Sequence, residues 1–431
     1  MAVNISWEPP SLIPRTGVIA LHEQVAAMPT LQTTTREDIF RLQALEMDWD
    51  IGVVIYEPLN VASVSSDPDG KKIGVFLIHG GVSDYKSVEC VALPLAEKFG
   101  IKVVSMTFPG RFYLLDPSRD WPGDVENPDG SARTPLWTKE TRITKDQYEV
   151  VQDVSKRENY GTLISLAAKE GTEFFYRMAA WPAAFEAAIK ETARRHFPPD
   201  QFSIYVHGHS TGGPFAMMAT QRVANIAGVV GYGTSPFGYM FPQISGDNWD
   251  FPFNQLRLRT WRDTARYLYE GLKDKGIGLP MLIELTFERW EKSKRRPNFK
   301  AEDFVHKHST KALETAARVS ASRLKLSNRE TDALVRQYLG YTRELSGPGV
   351  KPVPPFLSIH GVNDDTVTLA RCQRSLPLFA RLAPPPKIRC VSIGAGVHTW
   401  SYTEPPDLPQ GIAPAVAKLW HDAITNGFYL V

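Results

Sequence analysis

The amino-acid sequence predicts an α/β chain, with a mostly parallel central sheet carrying helices on both faces and interrupted by inserted segments. Three observations lead there. Short apolar runs rich in Val, Ile and Phe alternate with longer stretches of helical patterning, the order that builds parallel sheets. Several runs are nearly continuous in apolar residues, as expected of strands covered on both faces. One of them, Phe202 to Val206, leads into a glycine-flanked serine directly before a helical pattern.

Residues 1–48 read as an N-terminal extension with one helix starting at the "TTTRED" cap signal. The runs Ile51 to Tyr56, Ile73 to His79, Lys102 to Thr107, Phe202 to Val206 and Ala227 to Tyr232 are expected strands of a core spanning residues 49–236. An insertion over about residues 112–175 interrupts it, rich in Pro and Asp early ("DPSRDWPGDVENPDG") and helical in pattern later. Residues 237–350 make a second interruption, too long for a structureless loop in a compact domain. Their amphipathic patterning predicts an inserted helical cap. The core resumes over residues 351–431, with strands at Pro355 to Ile359 and Ile388 to Ile393 and a terminal helix in "APAVAKLWHDAI".

Composition narrows the function classes. At 431 residues, 43% hydrophobic and 22% charged, the chain can bury a large core without disulfides or metal. A formal net charge of +2 leaves no footprint of a nucleic-acid binder. The basic run "KSKRR" (Lys292 to Arg296) sits among glutamates, the pattern of a solvated helix face. Cys90, Cys372 and Cys390 are odd in number and widely spaced, which fits a reducing compartment rather than a disulfide framework or zinc site. The first residues lack a basic segment followed by an apolar one. No apolar run approaches the roughly 18 residues that span a bilayer. The expectation is a cytoplasmic chain with no membrane span, no cofactor and no metal.

The segment "FSIYVHGHSTGGPFAMMATQRVA" carries the chemistry, because Gly208-His209-Ser210-Thr211-Gly212 is a Gly-x-Ser-x-Gly arrangement. A nucleophilic serine must stand on a sharp, strained turn to expose its hydroxyl, and side chains at the flanking positions would block close approach of neighbouring backbone. The helix beginning just after it adds the positive end of its dipole. In this strand–turn–helix context the sequence resembles the α/β-hydrolase superfamily. The resemblance covers the sheet portions, about residues 51–236 and 352–431, and is weak in both insertions.

The resemblance implies a chain order of serine, acid and histidine. After the run Pro355 to Ile359, "HGVNDDTV" puts Asp364 and Val367 where the family carries its acid and a packing valine. Asp365 is adjacent to that acid, and Asp247 is a more remote alternative. His398, in "GAGVHTWS" beyond the run Ile388 to Ile393, takes the place of the general base, whereas His421 falls in the terminal helix as a structural residue. Two backbone donors for an oxyanion are also implied. They are Thr211, after the nucleophile, and Gly81 in "HGGV", with Val82 the near alternative to Gly81. "MTFPGRFY" (Met106 to Tyr113) departs from the family's D-x-P-G-x-G pattern in having Thr107 and Arg111.

Other conspicuous residues have plainer readings. The pairs His207/His209 and His306/His308 are too few for a metal site without carboxylate or thiolate partners, so packing or solvent exposure is expected. His79 and His360, each before a glycine at a strand end, are expected to orient loops. Aromatics crowd the second insertion (Trp249, Phe251, Phe253, Trp261, Tyr267, Tyr269, Trp290), mostly as its own core, with some available to line an apolar pocket over Ser210. Gly231-Tyr232-Gly233 does not open a dinucleotide site.

The implied activity is hydrolysis of a carboxylic ester through an acyl-enzyme on Ser210, with a small apolar or aromatic molecule as substrate. Amide, lactone or carbon–carbon hydrolysis and acyl transfer would use the same three residues. The rival from another class is a catalytically silent protein of this fold that binds a ligand or partner.

Overall fold

The apolar runs fall where the sheet needs residues buried on both faces. The computed structural model describes residues 11–80, 85–110, 137–141, 144–151, 163–210, 212–234, 255–259, 281–283, 314, 316–346, 352–364, 367, 369, 386–400, 408 and 411–426. Nine strands form the main sheet: β1 (Ser11–Ile13), β2 (Thr33–Ala44), β3 (Met47–Pro58), β4 (Lys72–Ile78), β5 (Lys102–Met106), β8 (Phe202–His209), β9 (Ile226–Tyr232), β12 (Phe356–Gly361) and β13 (Ile388–Ile393). Across the sheet they lie in the order β1-β13-β12-β9-β8-β4-β5-β3-β2. β2 and β3 form an antiparallel hairpin, β3 pairs antiparallel with β5, and the remaining neighbours are parallel.

Side-chain alternation divides the interior into two cores. Val53, Ile55, Phe76, Ile78, Val104, Met106, Ile204 and Val206 pack on one face. Their chain neighbours Val54, Tyr56, Val75, Leu77, Val103 and Tyr205 pack on the other, as a period of two requires. The first face is covered by α3 (Glu173–His196) and α4 (Gly212–Arg222), and the second by α1 (Arg15–Ala27), α2 (Glu89–Glu97) and α6 (Ala413–Thr425). On the α3/α4 side, Phe185 stacks on Phe215 at 3.8 Å, and Phe108 meets both edge-on at 5.0 and 5.3 Å. This aromatic cluster fixes the helix that follows Ser210. The side chain of Thr172 caps α3 by accepting from the Phe175 amide at 3.3 Å.

Several sequence expectations are corrected. "TTTRED" opens β2 and not a helix, and the segment read as an N-terminal extension supplies β1, α1 and β2 to the main fold. β2 pairs along its whole length with β3, from Thr33 opposite Pro58 to Ala44 opposite Met47. Leu45 and Glu46 form the two-residue turn, both with positive φ (50° and 56°), as a type I′ hairpin requires. The late part of the first insertion, helical in pattern, contains β6 (Tyr148–Val151) and β7 (Leu163–Ala168) before α3 begins.

Those strands join β10 (Gln255–Arg259) and β11 (Met281–Ile283) in a second sheet, order β11-β10-β7-β6, antiparallel throughout. The two insertions therefore meet through backbone pairing, and "QLRLR" is a strand within the stretch expected to be helical. Farther along, α5 (Asn328–Ser346) is helical as expected. Among the described residues, no helix is long and apolar enough to cross a membrane.

Candidate active site

The site is built at the C-terminal ends of β8, β9, β12 and β13, which lie side by side in the sheet. β8 runs past the expected Val206 to His209, and Ser210 follows with φ +51°. A residue with a Cβ in the left-handed region carries a strain of roughly 1–2 kcal/mol. The flanking glycines are sterically required. A Cβ on Gly208 would lie 2.6 Å from the Gly212 carbonyl oxygen, and one on Gly212 would lie 2.2 Å from that of Ile78 in β4. The elbow is held by the Ser210 amide, which donates to the Tyr232 carbonyl at 3.1 Å, and by the Thr234 hydroxyl, which donates to the Ser210 carbonyl.

Ser210, His398 and Asp364, named from three distant motifs, come together here. His398 Nε2 lies 2.9 Å from Ser210 Oγ, and His398 Nδ1 lies 2.9 Å from Asp364 Oδ2. All three are buried, at 6%, 7% and 4% exposure. The other Asp364 oxygen, Oδ1, accepts the Val367 amide at 2.7 Å, so both carboxylate oxygens are engaged. The loops that bear acid and imidazole are themselves tied, with the Asn363 amide donating to the Gly396 carbonyl at 2.9 Å.

Gly233, in the turn after β9, lies directly against this chain of groups. With φ +53°, a Cβ there would sit 3.1 Å from Asp364 Oδ2 and 3.3 Å from His398 Nδ1. Glycine leaves room for the imidazole–carboxylate contact.

Four further histidines surround the centre. His79 Nδ1 donates to the Gly80 carbonyl at 2.7 Å and its ring stacks on Phe108 at 3.9 Å. His360 Nε2 donates to the Val367 carbonyl and lies 3.5 Å from Asp364 Oδ2. Both act on loop geometry, at β4 and at the Asp364 turn. His209 Nε2 donates to the His398 carbonyl at 2.8 Å, and His207 packs against Trp400 and Trp420. Burial pushes the imidazoles of His207 and His209 down to about 3 and lowers that of His360, so all three are neutral at ordinary pH. His421, in α6, stacks on Phe99 at 4.4 Å.

Gly81, Val82 and Thr211, the expected oxyanion donors, lie outside the described residues, as do Asp365, Asp247, His306, His308, Cys372 and the seven aromatics from Trp249 to Trp290. Among the described residues no group of three or more His, Cys, Asp or Glu is placed to hold a metal ion. Sequence reasoning missed the contributions of His209, Tyr232, Gly233 and Thr234. Only His209 carried a local signal, its place in the pentapeptide.

A mostly parallel sheet with a serine elbow at the end of central strand β8, an acid after β12 and a histidine after β13, the last two reached past β9, is the arrangement of the α/β-hydrolase fold. No protein-family model and no curated protein sequence matches the chain. Among solved structures the chain is similar to a cold-adapted esterase from an Arctic intertidal metagenomic library, with 14% identity, 91% of this chain and 94% of that chain covered, and a TM-score of 0.34. It is also similar to the esterase domain of a Rhodothermus marinus protein (10% identity, 90% and 96% covered, TM-score 0.38). A third is the S-formylglutathione hydrolase FrmB of Staphylococcus aureus (12% identity, 92% and 98% covered, TM-score 0.36).

Proposed function

We propose that the chain is a serine hydrolase that cleaves a carboxylic ester through an acyl-enzyme on Ser210. One observation supports this above all: hydroxyl, imidazole and carboxylate stand in series at 2.9 Å and 2.9 Å on a strained elbow. His398 Nε2 takes the Ser210 proton as Oγ attacks the carbonyl carbon. Asp364 holds Nδ1–H, fixing the tautomer and stabilising the imidazolium that forms. Collapse of the tetrahedral adduct expels the alcohol, which leaves with the proton from His398. Water then attacks the acyl-serine, His398 takes a proton from it, and the acid departs as Ser210 is reprotonated.

The backbone amides of Gly81 and Thr211 are the oxyanion donors in this reading. Residues 237–350 serve as a cap whose aromatics shape an apolar acyl site. The substrate is a small apolar or aromatic ester.

The test is incubation with p-nitrophenyl acetate or butyrate and with a fluorophosphonate probe, using Ser210→Ala as control. Hydrolysis and labelling in the wild type, both lost in the variant, are expected. Labelling that survives in Ser210→Ala would defeat the assignment, and no labelling of the wild type would favour a ligand-binding protein of the same fold.

A further inference from the structure

His398 has to reach β8 from the end of β13, past β12 and β9. At about 4.8 Å per strand the span is roughly 14 Å, so the loop after β13 must be held across its neighbours. Three consecutive carbonyls of that loop are held. The Tyr232 hydroxyl, at the end of β9, lies 2.8 and 2.9 Å from the Val397 and Thr399 carbonyls and shares its single proton between them. His209 Nε2, at the end of β8, donates to the His398 carbonyl between them at 2.8 Å. The Tyr232 ring also stacks on Trp400 at 4.4 Å, and the His209 ring lies 5.0 Å from the same indole.

We propose that His209 and Tyr232 are positioning residues that clamp the loop bearing His398, setting the imidazole between Ser210 Oγ and Asp364 Oδ2. This rests on the reading of Ser210 and His398 as the reacting pair. His209 sits next to the nucleophile in sequence and bonds the general base's own carbonyl, so elbow and base are tied by one side chain. Burial keeps the His209 ring neutral and the Tyr232 hydroxyl protonated, so neither donor is exchanged for an acceptor at ordinary pH.

Tyr232→Phe removes one hydroxyl and leaves the ring on Trp400. His209→Phe removes the other donor, and His209→Gln restores an N–H of similar reach. Each is measured for fluorophosphonate labelling of Ser210, for kcat and KM with p-nitrophenyl butyrate, for the downfield proton resonance of His398 Nδ1–H, and for Tm. A misplaced reacting group costs up to about 10²-fold per ångström. Each phenylalanine variant is therefore expected to lose on the order of 10-fold in kcat and in labelling rate, with KM unchanged and the downfield resonance shifted or broadened. Glutamine at 209 recovers most of the loss.

The double variant should lose less than the product of the single losses, since both donors act on one loop. If His209→Phe does not fold, Tyr232→Phe and His209→Gln decide the matter. Wild-type kcat in Tyr232→Phe, or a change confined to KM or Tm, overturns the clamp while labelling of Ser210 leaves the hydrolase reading intact. A wild type that takes no label removes that reading and the clamp together.

Discussion

Gly233→Ala probes how closely the imidazole–carboxylate contact is packed. Two costs follow from the structure. The backbone at φ +53° strains any residue with a Cβ, by about 1–2 kcal/mol. The new methyl would also lie 3.1 Å from Asp364 Oδ2, 3.3 Å from His398 Nδ1 and 3.4 Å from the His398 carbonyl oxygen. A carbon at rest sits about 3.5 Å or more from its neighbours, so carboxylate, imidazole or turn must move by a few tenths of an ångström. Against a typical stability of about 5–15 kcal/mol the fold survives. The catalytic loss, scaled from about 10²-fold per ångström of misplacement, is on the order of 10-fold in kcat, with KM unchanged. Gly70→Ala is the control, because Gly70 has φ +82° with nothing within 4 Å of its would-be Cβ. It should lose comparable stability and keep full kcat. Ester hydrolysis and thermal melts of both variants measure this. A Gly233→Ala enzyme with wild-type kcat, or a Gly70→Ala enzyme equally impaired in turnover, would refute the packing argument.

Strain at the elbow predicts that Ser210→Gly is more stable than Ser210→Ala by about 0.5–1 kcal/mol, since only glycine relaxes at φ +51°. Denaturation midpoints that rank alanine above glycine would show an unstrained turn. Gly212→Ala would press a methyl to 2.2 Å from the Ile78 carbonyl oxygen. Backbone cannot yield there without breaking the β4–β8 pairing, so a loss above about 4 kcal/mol is expected, and a soluble variant with an unchanged urea midpoint would contradict the geometry. Burial lowers the folded-state values of His207 and His209 to about 3 and of His196 to about 4, against an ordinary imidazole value of about 6.5. Between those values the unfolded chain binds more protons, so stability is complete above about 6.5 and falls as pH drops toward 3–4, by up to about 1.4 kcal/mol per pH unit per group. Urea midpoints from pH 7 to 4 should fall less steeply in His207→Leu than in the wild type, and parallel curves would count against a buried neutral His207.

The strands that were legible are those whose burial is written locally. β4, β8 and β12 are buried at nearly every position, so each carries a mostly apolar run that reads as a strand covered on both faces. β2 was not legible, because its first residues are mostly exposed and only Phe40, Leu42 and Ala44 are buried near its end. "TTTRED" therefore carries the composition of a helix start, while the cause of strand is pairing with β3. Its turn gives no sign either, since Leu45 and Glu46 occupy positive φ where Asn and Gly are the usual indicators. β10 and β7 fail for a related reason. Each is short, and what makes it a strand is the other, with Gln255 opposite Ala167 and Arg259 opposite Leu163.

At the site the division is between chemistry and support. A nucleophile, an acid and a base are confined to few residue types, and strand ends limit where they can stand, so Ser210, Asp364 and His398 were nameable one motif at a time. What holds them relative to one another is not confined to a type. The His209 bond spans 189 positions and ends on a backbone carbonyl, which any residue at 398 would present. Gly233 matters for the space it leaves, and Thr234 for a hydroxyl turned toward the Ser210 carbonyl. The support lies mainly on β9 and its turn, between the strand that leads to Ser210 and the strand that leads to Asp364. A segment without a proposed reacting residue thus carries much of the site's precision, and substitutions there should alter turnover before they alter the fold.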